Sequence, residues 1–319
     1  MSVGSLAGQP SSELFDGAQC ARGVDKGTRI RANQHSAAPW LLLAPALGLL
    51  ALFFVVPVLW LVRVSFYERP LGGGFYLASS FTTDHYATIL TDPYYRTVGF
   101  TTLRLALVVT VTALLVAYPL AVYLTRATPR LRTGALLAIL LSKLTNLLVV
   151  MYGALVLLAN AGPINSLLLW TGAVSQPLPM FANLFAVVFG ETLVLAPYPT
   201  LILASALHGV DPTLERAALG LGASPLRAFY EVSFKLTLPS LVLATLLTFV
   251  WALGAFTAPV VLGNPELYTV AVDVFTLTFE DVNWPLGAAL SVLYTVAVTS
   301  GVLATYRLQR RIERGLDRG

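Results

Sequence analysis

Cysteine and charge are both scarce in this 319-residue chain. Cys20 is the only cysteine, which excludes a disulfide scaffold and a cysteine-ligated metal cluster. Charged residues make up 11% of the chain, against roughly 25% in ordinary soluble domains. The three histidines are far apart in sequence, and neither an H-E-x-x-H nor a G-x-S-x-G motif is present. These absences argue against a soluble enzyme, and the sequence predicts no catalytic, metal or cofactor site.

Apolar residues account for 56% of the chain, and the mean hydropathy is +0.75. A helix needs about 20 largely apolar residues to cross the hydrocarbon core of a bilayer. Six stretches meet this requirement, and the alternating pattern of an outer-membrane barrel is absent. They cover residues 40–60, 100–124, 134–158, 185–206, 241–262 and 286–306. The sequence therefore predicts an all-α integral membrane protein with six transmembrane helices.

The two ends of the chain differ from the apolar middle. Residues 1–36 are polar and lack the apolar core of a cleavable signal peptide, so we expect a flexible tail. Residues 37–306 form the predicted six-helix domain, and residues 307–319 form a basic tail.

Lys and Arg are distributed unequally between the two sides of the predicted membrane. Fifteen of the 20 lie in the terminal tails and in the loops after the second and fourth spans, while the opposite loops hold only Arg69 and Arg96. The positive-inside rule places both termini in the cytoplasm. The formal net charge of +4 then reflects topology and contact with anionic membrane lipid, and it gives no reason to invoke nucleic acid.

The longest polar loop, residues 211–239, carries helix start and stop signals. Asp211 precedes Pro212, two glycines follow an Ala-rich run, and Ser224 then precedes Pro225. A capping residue followed by proline marks a helix start, and glycine marks a helix end. The loop is therefore predicted to form a helix, a glycine turn and a second helix.

Leu226, Phe229, Tyr230 and Ser233 recur at helical spacing in the second of these helices. The spacing predicts an apolar and aromatic ridge along one side. Such a ridge suits either docking to a partner protein or resting on the membrane interface, and the residues alone leave both interpretations open.

The run Arg216-Ala-Ala-Leu-Gly-Leu-Gly222-Ala-Ser, followed by Val232, closely resembles the EAA loop of permease subunits of bacterial ABC importers. In that family the loop forms coupling helices that sit in a cleft of the ATP-binding subunit. The resemblance assigns this coupling role to Glu215, Arg216, Ala217, Ala218, Gly222, Ala223, Ser224, Phe229 and Val232. Two departures stand out: Arg216 occupies the usual position of the motif's glutamate, and Phe234-Lys235 replaces the usual Leu-Pro.

Further segments between residues 44 and 289, including Asn283-Trp-Pro-Leu-Gly287, resemble the spermidine/putrescine-type permeases. The resemblance implies a type I ABC importer permease fold, with coupling helices between transmembrane helices 4 and 5, in the bacterial cytoplasmic membrane. It also implies three partners: an ATP-binding subunit dimer, a second permease subunit and an extracytoplasmic solute-binding protein. The solute would be a polyamine or, alternatively, another small organic solute or ion. The chain lacks a G-x-x-x-x-G-K-[ST] phosphate loop, so ATP hydrolysis is expected on a partner.

Polar residues inside the spans are the candidates for the solute pathway. Charges at membrane depth usually face a cavity or a partner. Glu191 in span four either lines the path and attracts a cation or pairs internally with Lys143 or Arg104. Tyr198, in a Pro-Tyr-Pro sequence that should bend the same span, and Asn146 in span three are further pathway candidates.

The last outer loop contains Glu266, Asp273, Glu280 and Asp281 and no Lys or Arg. It forms either an acidic rim that steers a cation or a binding protein, or an ordinary solvated loop.

An ion-gradient-driven secondary transporter is the alternative function class. That class usually shows more spans or an inverted repeat, and neither is evident here.

Overall fold

The computed structural model describes residues 38–70 and 74–316 of the chain. Within these residues every long element is a helix, and the one strand-like feature is an isolated bridge between Glu68 and Leu77. The all-α prediction is confirmed. The predicted tail over residues 1–36 lies outside the described residues.

Six helical segments are apolar and long enough to cross a membrane when one bent pair is counted as a single span. This number matches the sequence-based prediction. The segments are Leu43–Val64, Pro93–Arg126, Leu147–Trp170, Pro225–Leu253, Trp284–Leu303 and the pair Leu184–Leu195 with Pro197–His208, which is bent by 46°.

The chain divides into two compact units, Met1–Val56 and Pro57–Gly319. In the first unit, helix α1 (Ala38–Leu50) continues into a π-helical turn (Ala51–Val55). The side chains of residues 43–56 are all exposed and almost all apolar. Such a surface suits a hydrocarbon environment rather than water.

The other α-helices are α2 (Val56–Val64), α3 (Asp84–Thr91), α4 (Pro93–Arg126), α5 (Pro129–Leu144), α6 (Leu147–Leu158), α7 (Pro163–Trp170), α8 (Leu184–Leu195), α9 (Pro197–His208), α10 (Pro212–Gly220), α11 (Pro225–Ala228), α12 (Lys235–Leu253), α13 (Thr257–Leu262), α14 (Val270–Phe275) and α15 (Trp284–Leu316). Shorter π-helical turns follow α11 and α14, and a 3-10 turn precedes α14. Helix α15 continues to Leu316, so the helix extends beyond the candidate span Trp284–Leu303 into the predicted basic tail.

Helix α4 packs against α9 and α12 through small side chains. Ala113, Ala117 and Ala121 recur every four residues on one face of α4 and are fully buried. Ala117 and Ala121 cluster with Leu203 of α9 and Ala244 of α12. Small residues let helix backbones approach closely in a membrane, where association relies on packing. The long polar loop connects α9 to α12 and therefore begins and ends at helices of this three-helix contact.

The third span differs from the prediction, because residues 134–158 form two helices. Helix α5 ends at Leu144, and the Asn146 side-chain oxygen accepts a 2.9 Å hydrogen bond from the backbone N–H of Leu148 at the start of α6. Capping by a short polar side chain starts a new helix at this point. The candidate span here is Leu147–Trp170.

The fifth span also differs, because the predicted helix over residues 241–262 breaks after Leu253. The Leu253 carbonyl accepts a 2.9 Å hydrogen bond from the Tyr294 hydroxyl. The Ala255 carbonyl accepts one of 2.6 Å from the Thr269 hydroxyl. Side chains thus satisfy backbone groups that the break leaves without helical partners, which is what permits a broken helix at membrane depth.

Candidate functional site

The polar loop between α9 and α12 forms a helix, a glycine turn and a second helix, as predicted. The Asp211 carboxylate accepts a 2.8 Å hydrogen bond from the backbone N–H of Thr213 at the start of α10. The Ser224 hydroxyl accepts a 3.4 Å bond from the N–H of Arg227 at the start of α11. Because the first bond favours the ionised form, the pKa of Asp211 lies below its ordinary value.

Gly222 forms the turn between the two helices. Its φ angle is +89°, a backbone conformation that residues with a side chain rarely adopt. A Cβ at this position would meet no atom within 4 Å, so the backbone angle and not lack of space requires glycine. The adjacent Leu221 side chain is 91% exposed. The turn therefore presents an apolar side chain outward at its tip.

Glu215 connects α10 to two other elements. Its carboxylate accepts a hydrogen bond from the Ser233 hydroxyl and lies 3.4 Å from a guanidinium nitrogen of Arg126, at the end of α4. The glutamate therefore holds the loop against the bundle. The sequence analysis placed Glu215 in the loop but did not identify these partners, which lie 18 and 89 residues away.

Arg216 occupies the motif position that usually holds glutamate, and its side chain is exposed. Its Nε atom donates a 3.4 Å hydrogen bond to the carbonyl of Pro212 within the same helix. Among the other motif positions, Ala217 is exposed, while Ala218 and Ala223 are half-buried. The outward surface of the loop therefore carries a positive charge beside apolar side chains.

The predicted ridge on the second helix is split between two faces. Leu226 and Tyr230 are exposed, whereas Ser233 is buried and Phe229 packs edge-on against the Tyr118 ring, with a centroid distance of 6.3 Å. The half-buried Val232 lies in the same turn. The cause is a π-helical turn over Phe229–Phe234, which has a longer period than the α-helix assumed for the ridge.

The loop is also shorter than predicted at its carboxyl end. Helix α11, the π-helical turn and α12 follow one another without interruption and form the single candidate span Pro225–Leu253. Pro239, at the predicted loop end, lies inside α12. The second helix of the loop is therefore continuous with a candidate membrane-spanning helix.

Glu191 lies in α8 and is only 7% exposed. Its carboxylate lies beside the backbone of Ala258, in the first turn of α13. The neighbouring Gly190 allows this close approach, because a Cβ there would lie 2.4 Å from Leu262. Among the side chains that the structure describes, ion pairs join Arg126 to Glu215 and Lys235 to Glu231. Of the two alternatives for Glu191, an ion pair with Lys143 or Arg104 is therefore not found among these side chains.

Lys143 instead contacts the bend between α8 and α9. Its ammonium group donates a hydrogen bond to the Val194 carbonyl and lies 3.7 Å from the centroid of the Tyr198 ring. Tyr198 in turn stacks at a tilt on Trp251 of α12, with centroids 5.2 Å apart. The proline-flanked bend was predicted, but the lysine that occupies it was not.

The other pathway candidate, Asn146, is exposed and caps α6. It is the second of the two residues that link α5 to α6. No described group of three His, Cys, Asp or Glu residues could hold a metal ion.

Asp273 in the outer segment is 4% exposed, so it does not belong to a solvated acidic rim. Its Oδ1 atom accepts a 3.0 Å hydrogen bond from the Tyr94 hydroxyl. Burial raises the pKa of Asp273, and the bond from Tyr94 offsets part of this rise.

Comparisons with known proteins agree with this geometry. Residues 122–318 match the family described as "Binding-protein-dependent transport system inner membrane component". The spermidine/putrescine transport system permease protein PotB of Escherichia coli is 30% identical over 271 residues, covering 85% of this chain and 97% of that protein. The PotB protein of Haemophilus influenzae is 31% identical over 268 residues, covering 84% and 93%.

Solved structures give the same fold. A chain of a bacterial alginate ABC transporter, solved in complex with its alginate pentasaccharide-bound periplasmic protein, has a TM-score of 0.72 at 15% identity. That likeness covers 86% of this chain and 94% of the other. A chain of the MetNI methionine ABC transporter has a TM-score of 0.54 at 17% identity, covering 73% and 99%. The fold is thus that of ABC importer permeases.

The family match covers more than half of the chain and includes the whole helix–turn–helix loop. In this family the membrane component carries no ATPase activity of its own, and ATP is hydrolysed on a separate subunit. The chain therefore belongs to the family of inner membrane permease components of binding-protein-dependent ABC importers.

Proposed function

We propose that this permease subunit forms half of a translocation pathway for a polyamine of the spermidine/putrescine type. The identity to PotB proteins over about 270 residues supports this solute class. The proposed assembly contains a second permease subunit, a dimer of ATP-binding subunits and an extracytoplasmic solute-binding protein. Delivery by the binding protein and ATP hydrolysis on the partner would drive import.

The exposed helix–turn–helix loop carries the coupling proposal. Leu221 and Leu226, 91% and 78% exposed, project from the glycine turn and from the start of α11. Large apolar side chains exposed on a loop that leaves the bundle are typical of an interaction site. They would seat in a cleft of the ATP-binding subunit, with Arg216 beside them. Ala217, Ala218, Ala223, Phe229 and Val232 would shape and support that surface.

Orientation follows from charge. With both termini in the cytoplasm, the loop lies on the cytoplasmic side, where ATP is available. The outer segment, including α3 and α14, then faces the solute-binding protein. This placement rests on the distribution of Lys and Arg in the sequence.

Substitution at the glycine turn tests the coupling role. We expect Gly222→Trp to abolish uptake of radiolabelled spermidine and reduce copurification of the ATP-binding subunit. A non-glycine residue is strained at φ +89°, and a bulky side chain would block seating.

Gly220→Ala is the matched control, because Gly220 lies within α10 and a Cβ there meets no atom within 4 Å. This variant should keep both uptake and copurification. Normal uptake and copurification in Gly222→Trp would contradict the coupling role of the loop.

Among the pathway candidates, Tyr198 is the exposed aromatic residue at the bend of span four, whereas Glu191 is buried against α13. We propose Tyr198 as a side chain that the solute contacts directly. Glu191 would contribute to the pathway by supporting the helix break that precedes α13. Asn146 would contribute by capping α6 next to Lys143.

A further inference from the structure

The bend between α8 and α9 carries three features that together match an aliphatic ammonium ion. The Val194 carbonyl accepts a charge-assisted hydrogen bond, and the Tyr198 ring offers its face to a cation. Trp251, stacked beside Tyr198, provides a second exposed aromatic surface. In the described conformation the Lys143 ammonium occupies this position.

An apolar crevice adjoins the ring pair. It has a volume of about 210 Å³ and is lined mainly by aliphatic side chains of α8, α9 and α12, including Leu195, Ile202 and Leu247. Tyr198 and Trp251 form part of the same lining. The crevice therefore places a surface for methylene groups directly beside a surface for an ammonium group.

We propose that Val194, Tyr198 and Trp251 form a binding site for a primary ammonium group of the solute, and that Lys143 occupies this site when solute is absent. A lysine side chain is itself an alkyl chain that ends in a primary ammonium, so it presents the same chemistry as the proposed solute. The solute must displace Lys143 to bind. This proposal deepens the proposed function, on which it rests.

The position of Lys143 makes such exchange feasible. It lies in the last turn of α5, two residues before the break at Thr145 and Asn146. Its partners are a neutral carbonyl and an aromatic ring, and no carboxylate among the described residues lies within 4 Å of its ammonium group. Departure of Lys143 therefore leaves no buried anion unpaired, and an incoming ammonium ion would restore both interactions.

The test measures spermidine binding to the purified importer complex, in detergent and without the solute-binding protein. A competing internal ligand multiplies the apparent dissociation constant for spermidine by the inverse of the fraction of sites that it leaves open. If Lys143 fills about nine-tenths of the sites, Lys143→Met should tighten spermidine binding about tenfold. Lys143→Arg keeps a cation on a flexible stem and should retain the weak binding of the wild type. The double variant Lys143→Met with Tyr198→Ala should lose the gain.

Chemical modification provides a second measurement on a single protein preparation. In a complex that is otherwise free of cysteine, Lys143→Cys is treated either with a methanethiosulfonate that adds an aminoethyl group or with one that adds a methyl group. The aminoethyl adduct should restore weak spermidine binding, whereas the methyl adduct should leave binding tight. Reduction of the aminoethyl adduct should return binding to the tight level.

Three results would overturn the proposal: unchanged spermidine affinity in Lys143→Met, an equal gain in the double variant, or equal affinities for the two adducts. Each of these leaves spermidine import by the wild-type complex intact. Failure of the proposed function would instead appear as an absence of spermidine import by the wild type, so the two failures are distinguishable.

Discussion

Asn146, Asp211 and Ser224 each place a side-chain oxygen on a backbone N–H in the first turn of a helix. Glu191, on a different helix, lies beside the backbone of Ala258 at the start of α13, so we expect it to cap that helix. Helix ends leave backbone groups without intrahelical partners, and at membrane depth these groups have no water to bond. At the scale of the residue, short polar side chains therefore fix where helices begin.

Substitution of Glu191 separates hydrogen bonding from charge. Glu191→Gln keeps an acceptor for the Ala258 N–H, so we expect the thermal stability of the purified complex to remain close to that of the wild type. If the carboxylate caps α13, Glu191→Leu leaves the Ala258 N–H unpaired, which costs about 1–3 kcal/mol. Equal stability of the two variants would contradict the capping role.

The same two variants also report on transport. If Glu191→Gln lowers spermidine-stimulated ATP hydrolysis while stability is unchanged, the carboxylate charge acts in the pathway. If hydrolysis and stability both match the wild type, the residue acts through its hydrogen bond alone.

Helix α10 is a nine-residue element whose position depends on contacts outside itself. Glu215 connects it to Arg126 on α4 and to Ser233 in the π-helical turn that precedes α12. Isolated helices of this length are marginal in water. At the scale of the element, the proposed coupling role of the loop requires that this connection hold α10 against the bundle.

Loss of the Glu215 carboxylate should weaken coupling more than it weakens stability. We expect Glu215→Ala to reduce solute-stimulated ATP hydrolysis several-fold. An exposed ion pair contributes only about 0–1 kcal/mol, so the Arg126 contact by itself adds little to stability. The measurement is the hydrolysis rate of the reconstituted complex with spermidine-loaded binding protein.

Glu231→Ala is the matched control for this change. Glu231 pairs with Lys235 one helical turn away on the same continuous helix, so its pair joins no separate elements. The control should couple normally. If both variants lose the same fraction of activity, the connection through Glu215 has no special part in coupling.

At the scale of the whole chain, basic residues are distributed unequally along the sequence. They concentrate in the two terminal segments, at the end of α4, at the start of α5 and in the loop between α9 and α12. By the positive-inside rule this pattern predicts the orientation tested below, and basic residues on that side would also attract anionic lipid. Helix packing then relies on small residues such as those of α4.

Reporter fusions test this orientation. A reporter joined after Gly319 should be active in the cytoplasm, and one inserted between Gly172 and Pro179 should be active on the opposite side. The insertion point is an exposed turn in which Gly172 has a φ of +70°, so an insert should not disturb packing. An inverted pattern would contradict the six-span topology.

The sequence by itself determined the properties that depend on composition and short-range pattern. Six apolar segments follow from hydropathy, because lipid admits only long apolar helices. The capped helix, glycine turn and second helix follow from Asp211, Gly222 and Ser224, because capping and positive φ are local requirements. The family resemblance also came from this loop, because the residues of the EAA motif lie close together in the chain.

Only the tertiary structure decided which distant groups meet. Local pattern left open whether Glu191 lines the path or pairs internally, and only packing placed its carboxylate beside the backbone of Ala258 at the break in the fifth span. Lys143 reached the Val194 carbonyl across 51 residues of chain, and Glu215 reached Arg126 across 89. Such pairings depend on how bent and broken helices pack, and packing is a property of the whole bundle that no short segment encodes.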